Sequence, residues 1–397
     1  MYYTFSIILL VSRPVVATAF GKSMKQFVFD RLVDRENICN LDKERESLLR
    51  LVQRGARVVV YAPRNYGKTS LIKNVVIEEF RRRNKRCFVF FADLLSVRTL
   101  ESLTGRLQMA FEHSFAESFP VKNLLENARH FLSALRPELS IDSLTGSPGL
   151  SLHADQDAAG QTIRSIFAHI GRIVAELPGL IVLDEFQDVA CIDEAPGIFR
   201  SLFEQIASAP IIVLGSKRHL LSSMFANPEA PLNGWGTDVE FAPIAYDVFH
   251  IYIQERFLQR GLRISYEDAR YLQDLLQRVP EAVNRLCQQI MDLHADQGIE
   301  REAVAASLMK LLENRASRYE TYLGQFSSTE GAVLVALAKE QVVAHPQSKK
   351  FLAGVSLSAR AVGQIVGRLM DRGVVEKIDR GFRISDPLLA AYMRYYR

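Results

Sequence analysis

Gly67-Lys68-Thr69 follows the apolar run Val58-Val59-Val60-Tyr61, and Ser70 opens a segment that is apolar at Leu71, Ile72, Val75 and Val76. A strand, a tight turn and a helix in that order bring backbone N–H groups and the positive end of a helix onto phosphate oxygens. Lys68 can then reach the β- and γ-phosphates, and the Thr69 hydroxyl can take a coordination position on Mg²⁺. The segment Ala62-Pro63-Arg64-Asn65-Tyr66-Gly67-Lys68-Thr69-Ser70 is therefore expected to bind a nucleotide. It is one glycine short of the usual spacing, with Ala62 at the first glycine position.

A second constellation completes the first. Leu180 to Leu183 read as a buried strand that ends in Asp184-Glu185, at the edge where open α/β sheets bind their ligands. Asp184 would orient Mg²⁺ or its water, and Glu185 would polarise the water that attacks the γ-phosphate. A third strand runs into Gly215-Ser216-Lys217-Arg218-His219. Ser216, small and polar, is placed to touch the γ-phosphate or the attacking water. Lys68, Glu185 and Ser216 are the expected catalytic residues, with Thr69 and Asp184 on the metal.

These residues need a scaffold, and the periodicity supplies one. A helix over Asp42 to Gln53 leads into the first strand, and strands 87–92, 180–183 and 211–214 alternate with helices, which implies a mostly parallel sheet. A Ser/Gly/Asp-rich stretch between Pro137 and Gly160 reads as a surface hairpin built on Leu139-Ser140-Ile141 and Leu150-Ser151-Leu152. From Phe249 the pattern turns to consecutive helices, about 246–260, 266–277, 281–295 and 300–318. The last segment has helices 329–340 and 358–371 and then two short strands around Asp379-Arg380-Gly381, a winged-helix outline. The expected fold class is α/β, a P-loop αβα sandwich followed by a helical lid and a winged helix. The expected divisions are 1–23 as an extension outside the fold, 24–245, 246–320 and 321–397.

Three motifs together resemble a known family. Ala62 to Leu71, Leu183-Asp184-Glu185-Phe186-Gln187 and Gly215 to His219 are similar to the archaeal-type ATPases of the AAA+ class, in the STAND group of signal-transducing P-loop ATPases. Phe382-Arg383-Ile384-Ser385-Asp386-Pro387 resembles the wing and closing helix of their winged-helix domain. The resemblance runs from Phe27 to the C-terminus. It implies ATP and Mg²⁺ as ligands and Mg-dependent hydrolysis of the γ-phosphate, with Ser216 at the sensor position. Two departures stand out. Pro231 to Gly236 lack the arginine many relatives carry there, and Arg278-Val279-Pro280 replaces a Gly-x-Pro. An arginine on the transition state is worth orders of magnitude in rate, so slow turnover is expected, with Arg64 or Arg218 as substitutes.

Composition narrows the partners. A chain of 397 residues, 48% hydrophobic and 24% charged, with a net charge of +4, supports several packed domains and no general polyanion binding. Residues 345–397 carry ten Lys/Arg against four acids, an excess of six that surpasses the whole chain's +4. Arg360 and Gln364 are the base-reading candidates if this domain binds DNA; otherwise it packs on the core and relays nucleotide state to an unidentified protein partner. ATP-dependent self-association is compatible with either. The scattered Cys39, Cys87, Cys191 and Cys287 form no Cys-x-x-Cys pair and suit a reducing, cytoplasmic setting. The first twenty residues are apolar, but Arg13-Pro14 splits them into pieces too short to span a bilayer, so no membrane is expected.

Overall fold

The computed structural model describes residues 25–119, 136–141, 148–153, 159–378 and 380–397. The extension expected over 1–23 and the tip of the 137–160 hairpin lie outside the described residues.

Strands β1 (Arg57–Tyr61), β2 (Phe88–Asp93), β5 (Gly179–Asp184), β6 (Ile211–Gly215) and β7 (Thr237–Glu240) form one sheet in the order β2-β5-β6-β1-β7. Every pairing in it is parallel. The side chains alternate between two cores, as the period of two in a strand demands. Val59, Ile181 and Val213 face one, and Val58, Val182 and Ile212 face the other. A phenylalanine-rich layer from helices Leu100–Ser118, Ala159–Glu176 and Ala195–Gln205 covers the first face. Helix Asp42–Gln53 and the helix after the loop cover the second. That second helix runs Lys68–Leu71, Ile72–Ile77 and Glu78–Arg83, its middle part π-helical. Between the β2 and β5 segments, β3 (Arg136–Ile141) and β4 (Pro148–His153) pair antiparallel as the expected hairpin.

Register places the chemistry. Tyr61 pairs with Gly215 across β1 and β6, and Leu183 pairs with Val213 across β5 and β6. The C-terminal ends of β1, β6 and β5 therefore lie side by side, bringing the loop, Ser216 and Asp184-Glu185 to one edge.

Four helices follow: Tyr246–Phe257, Tyr266–Leu275, Pro280–Leu293 and Arg301–Glu313. The helix expected over 300–318 is interrupted at Asn314, and a separate helix, Ala316–Leu323, crosses the expected boundary at 320/321. Helices Ser328–Glu340, Lys349–Val355 and Ala359–Asp371, the antiparallel hairpin Val375–Ile378 with Gly381–Ile384, and helix Pro387–Tyr396 complete the winged helix. Ser327, Ser348 and Ser358 cap the three helices that precede the wing. The helical region and the winged helix share one continuous apolar cluster, from Ile244 to Met393. The two therefore pack as one body. Among the described residues, no helix is long and apolar enough to cross a membrane.

Candidate functional site

The phosphate loop owes its shape to two left-handed residues, Asn65 at φ 63° and Gly67 at φ 78°. Alternation of this kind turns successive N–H groups inward to form an anion-binding concavity. Ala62 takes no such conformation. It is buried and its N–H donates to Gly215 O at 3.3 Å, extending the strand ladder, so a methyl group is tolerated where a glycine is usual.

Lys68, Asp184 and Ser216 are buried, and Glu185 is half-buried. Lys68 Nζ forms an ion pair with Glu185 Oε1 and stands 3.8 Å from Asp184 Oδ1. Thr69 Oγ1 donates to Asp184 Oδ2 at 2.6 Å. Glu185 Oε2 accepts from Gln187 Nε2 at 2.7 Å and from Ser216 Oγ at 2.8 Å. Glu185 also lies at φ 52°, a strained backbone of the kind that collects at functional sites. The three parts that were separate in sequence form one hydrogen-bonded cluster.

The two carboxyls are driven apart electrostatically. Burial pushes Asp184 up from the ordinary carboxylate value, and Lys68 and Thr69 only partly offset it. Burial acts on Glu185 in the same direction, but Lys68, Gln187 and Ser216 outweigh it and hold Glu185 below its ordinary value. Glu185 thus stays ionised beside the lysine, as a group that must accept a hydrogen bond from water requires.

A cavity of about 330 Å³ opens over the loop from Asn65 to Ser70 and over Glu185. Its other wall is a segment whose role sequence reasoning missed, Val28 to Leu41. Arg256, fully buried, anchors that segment through Gln26 O at 2.9 Å and Asn37 Oδ1 at 3.0 Å. Ser70 Oγ accepts from Val33 N at 3.0 Å, and Asn284 Nδ2 donates to Val28 O at 2.9 Å. Asn284 also lines the cavity, and its Oδ1 is buried without a partner. The apolar triplet Phe27-Val28-Phe29 was the available signal for this strap.

Ala62, Pro63 and Arg64, expected to hold nucleotide, line other cavities instead. The strand ladder carries Ala62 past the pocket before the loop turns. A cavity of about 1080 Å³ shares Asn65, Lys68 and Glu185 with the first and continues toward Arg64, Arg318 and the winged helix. Arg318, on Ala316–Leu323, had no sequence signal. Arg218, a candidate for transition-state charge, is exposed and ion-paired with Glu240. Lys217 reaches Asp188 Oδ1 and Asp371 O, both at 3.4 Å, and so ties the end of β6 to the winged helix.

Thr69 and Asp184 offer hard oxygen ligands, and no cluster of three or more His, Cys, Asp or Glu stands ready for a metal among the described residues. That donor set fits Mg²⁺, which uses one or two protein oxygens together with substrate phosphates.

The sheet order, loop and acidic strand end define a P-loop α/β core with a helical region and a C-terminal winged helix. Residues 317–395 match the family described as a probable winged helix domain. Among solved structures, the Walker-type ATPase of Pyrococcus abyssi is similar at 18% identity and a TM-score of 0.62, covering 93% of this chain and 99% of that one. The Aeropyrum pernix ORC2 protein in its ADPNP–ADP complexes is similar at 13% identity and a TM-score of 0.49, covering 91% and 96%. The Aeropyrum pernix ORC1 protein, solved in complex with DNA, is similar at 13% identity and a TM-score of 0.47, covering 90% and 94%. No curated protein matches the sequence.

Proposed function

We propose that this chain is an ATP-binding, slowly hydrolysing switch ATPase of the STAND type within AAA+, coupling nucleotide state to the position of its helical and winged-helix domains. The observation that carries the reading is the Lys68–Glu185–Ser216 cluster beneath a cavity walled by the core and the helical domain. Glu185 is the counter-ion of Lys68. A triphosphate would take over Lys68 and free the Glu185 carboxylate to orient water, while Gln187 and Ser216 hold its other oxygen. Mg²⁺, held by Thr69 and, directly or through water, by Asp184, would supply positive charge to the β- and γ-oxygens.

Slow turnover follows from the cations. Arg218 is committed to Glu240, and Arg64 and Arg318 are exposed on the cavity wall with no side-chain hydrogen bond or ion pair among the described residues. The winged helix is positioned to sense the outcome through Lys217–Asp371 and through Arg383 Nη1, which donates to Gln277 O at 3.4 Å. Phosphate release from the wild type should exceed that from Lys68→Ala and Glu185→Gln. Equal rates in all three would exclude hydrolysis and leave a binding-only switch.

A DNA-binding role for the winged helix has one observation in its favour. Arg360, Gln364 and Arg368 form an exposed stripe at i, i+4 and i+8. Arg368 stands 3.7 Å and Arg372 3.8 Å from Glu330, so part of the basic excess is already answered within the domain. A salt-dependent mobility shift lost in Arg360→Ala would favour DNA, and no shift at low salt would oppose it.

A further inference from the structure

A third cavity, of about 670 Å³, meets the phosphate loop at Ala62-Pro63-Arg64 and is walled by the core, the helical domain and the wing. Eight cationic side chains line it against three carboxylates, an excess of five. Arg218 faces Glu240, Arg270 lies 3.9 Å from Asp274, and Arg383 donates to Glu376 at 2.7 Å. Those pairs use all three carboxylates. Lys217 finds its partner, Asp188, outside the lining. Arg64, Arg278, Lys377 and Arg380 have no carboxylate within ion-pair distance among the described residues.

Hydrogen bonding points to the same place. His219 Nε2, Gln277 Nε2, Gln277 Oε1 and Arg278 Nε are all buried without a partner, and all three residues line this cavity. They are half of the buried side-chain polar atoms in that condition among the described residues. Buried polar groups are normally satisfied, so such a concentration calls for a ligand. Gln277 and Arg278 are also consecutive non-glycine residues at φ 55° and 58°, and strained backbone of this kind clusters at ligand clamps.

We propose that this cavity binds a small polyanion of the phosphate-ester class. The uncompensated guanidinium groups of Arg64, Arg278 and Arg380 match phosphate oxygens in shape and charge. The Gln277 amide holds an unpaired donor and acceptor in the wall of the cavity, which a small shift of the side chain would turn toward the remainder of the molecule. The volume falls within the range of small-molecule sites, and walls drawn from three domains exclude a duplex or a folded partner from its interior. The ligand would touch both the phosphate loop and the wing. The cavity adjoins the nucleotide pocket, sharing Tyr66 with it, and binding there does not depend on hydrolysis.

The test is calorimetric titration of inorganic pyrophosphate into the full chain carrying Lys68→Ala, which disables the phosphate loop, at low ionic strength. One saturable site is expected, weakened at least about tenfold in Arg278→Gln, since charge-assisted bidentate contacts are the strong ones. Because Arg278 also donates to Ile244 O, Lys377→Gln combined with Arg380→Gln, both exposed on the wing, gives a second variant that should show the same weakening. Absence of saturable binding would overturn the proposal, as would affinity unchanged in the wing double variant. Citrate binding as tightly as pyrophosphate would overturn the phosphate class.

Discussion

Ser216 Oγ donates to Glu185 Oε2 at 2.8 Å, so the residue that follows β6 holds the carboxylate that follows its neighbour β5. Gln187 Nε2 donates to the same oxygen, while Lys68 holds the other. Both Glu185 oxygens are thus held by neighbouring side chains.

This arrangement predicts different losses from its members. Glu185→Gln should lower single-turnover phosphate release by about 10²–10⁴, the range of general-base catalysis, while nucleotide binding survives. Ser216→Ala, which removes one support and keeps the carboxylate, should cost about tenfold, the effect of about one hydrogen bond to a charged group. Single-turnover release and nucleotide affinity, measured on each variant, separate the two.

Gly215 is a glycine for want of space. A Cβ there would meet Gln187 Oε1 at 2.5 Å and Leu221 Cδ2 at 3.0 Å. Gln187 Oε1 also accepts from Ser216 N at 3.1 Å. Gly215→Ala should destabilise the fold by about 1–3 kcal/mol, as overpacking does, and should lower turnover with it. Urea denaturation gives the first quantity, and a midpoint equal to wild type would show the site more compliant than its packing implies.

The core was largely legible in the sequence because its strands are short apolar runs that end in residues with chemistry. Val58 to Tyr61, Gly179 to Asp184 and Ile211 to Gly215 each announced both a buried strand and a functional end. The winged-helix outline was legible from its two helices and the turn between its two short strands. The edge strand Thr237–Glu240 was not, because Thr237, Asp238 and Glu240 are exposed and only Val239 is buried. The strap from Val28 to Leu41 carried only the apolar triplet at its start as a signal, for another reason. It is irregular backbone held by long-range bonds to Arg256, Ser70 and Asn284, and no local periodicity encodes such contacts. Arg318 came near the site through tertiary packing alone.

Metal dependence should follow from the Thr69–Asp184 contact. Chelation of Mg²⁺ should abolish turnover and weaken ATP binding, because phosphate charge would then be opposed by Lys68 and backbone dipoles alone. Thr69→Ala should raise the Mg²⁺ concentration needed for half-maximal activity by about tenfold or more, the scale of one lost contact to a charged group. A Mg²⁺ titration of phosphate release measures it; an unchanged midpoint would remove Thr69 from the metal.

Asn284 lines the cavity over the phosphate loop, and its Oδ1 is buried without a partner. It is an acceptor suited to the exocyclic amine of adenine, which guanine replaces with a carbonyl. ATP should therefore bind more tightly than GTP. Asn284→Leu should narrow the gap by about tenfold, the scale of one hydrogen bond to a buried group. Competition between ATP and GTP for a fluorescent nucleotide, in protein verified as folded, decides it.

Thiol reactivity should follow burial. Cys287 is fully buried and its thiol is pushed well up by desolvation, and burial carries Cys39 to about 12. Cys191 is exposed. Since the thiolate is the nucleophile, a maleimide at neutral pH should label Cys191 first and leave Cys287 untouched until the fold is denatured. Peptide mass mapping over time reads the order; early labelling of Cys287 would contradict the packing around Val283 and Leu286.

ATP affinity in the presence of Mg²⁺, measured by calorimetry on the full chain and on Lys68→Ala, bears most directly on the site. One saturable site is expected in the wild type, weakened by about tenfold to a hundredfold in the variant, the range for losing hydrogen bonds between charged groups. Equal affinities in the two proteins, or no saturable ATP binding by the wild type, would contradict a nucleotide site built on Lys68.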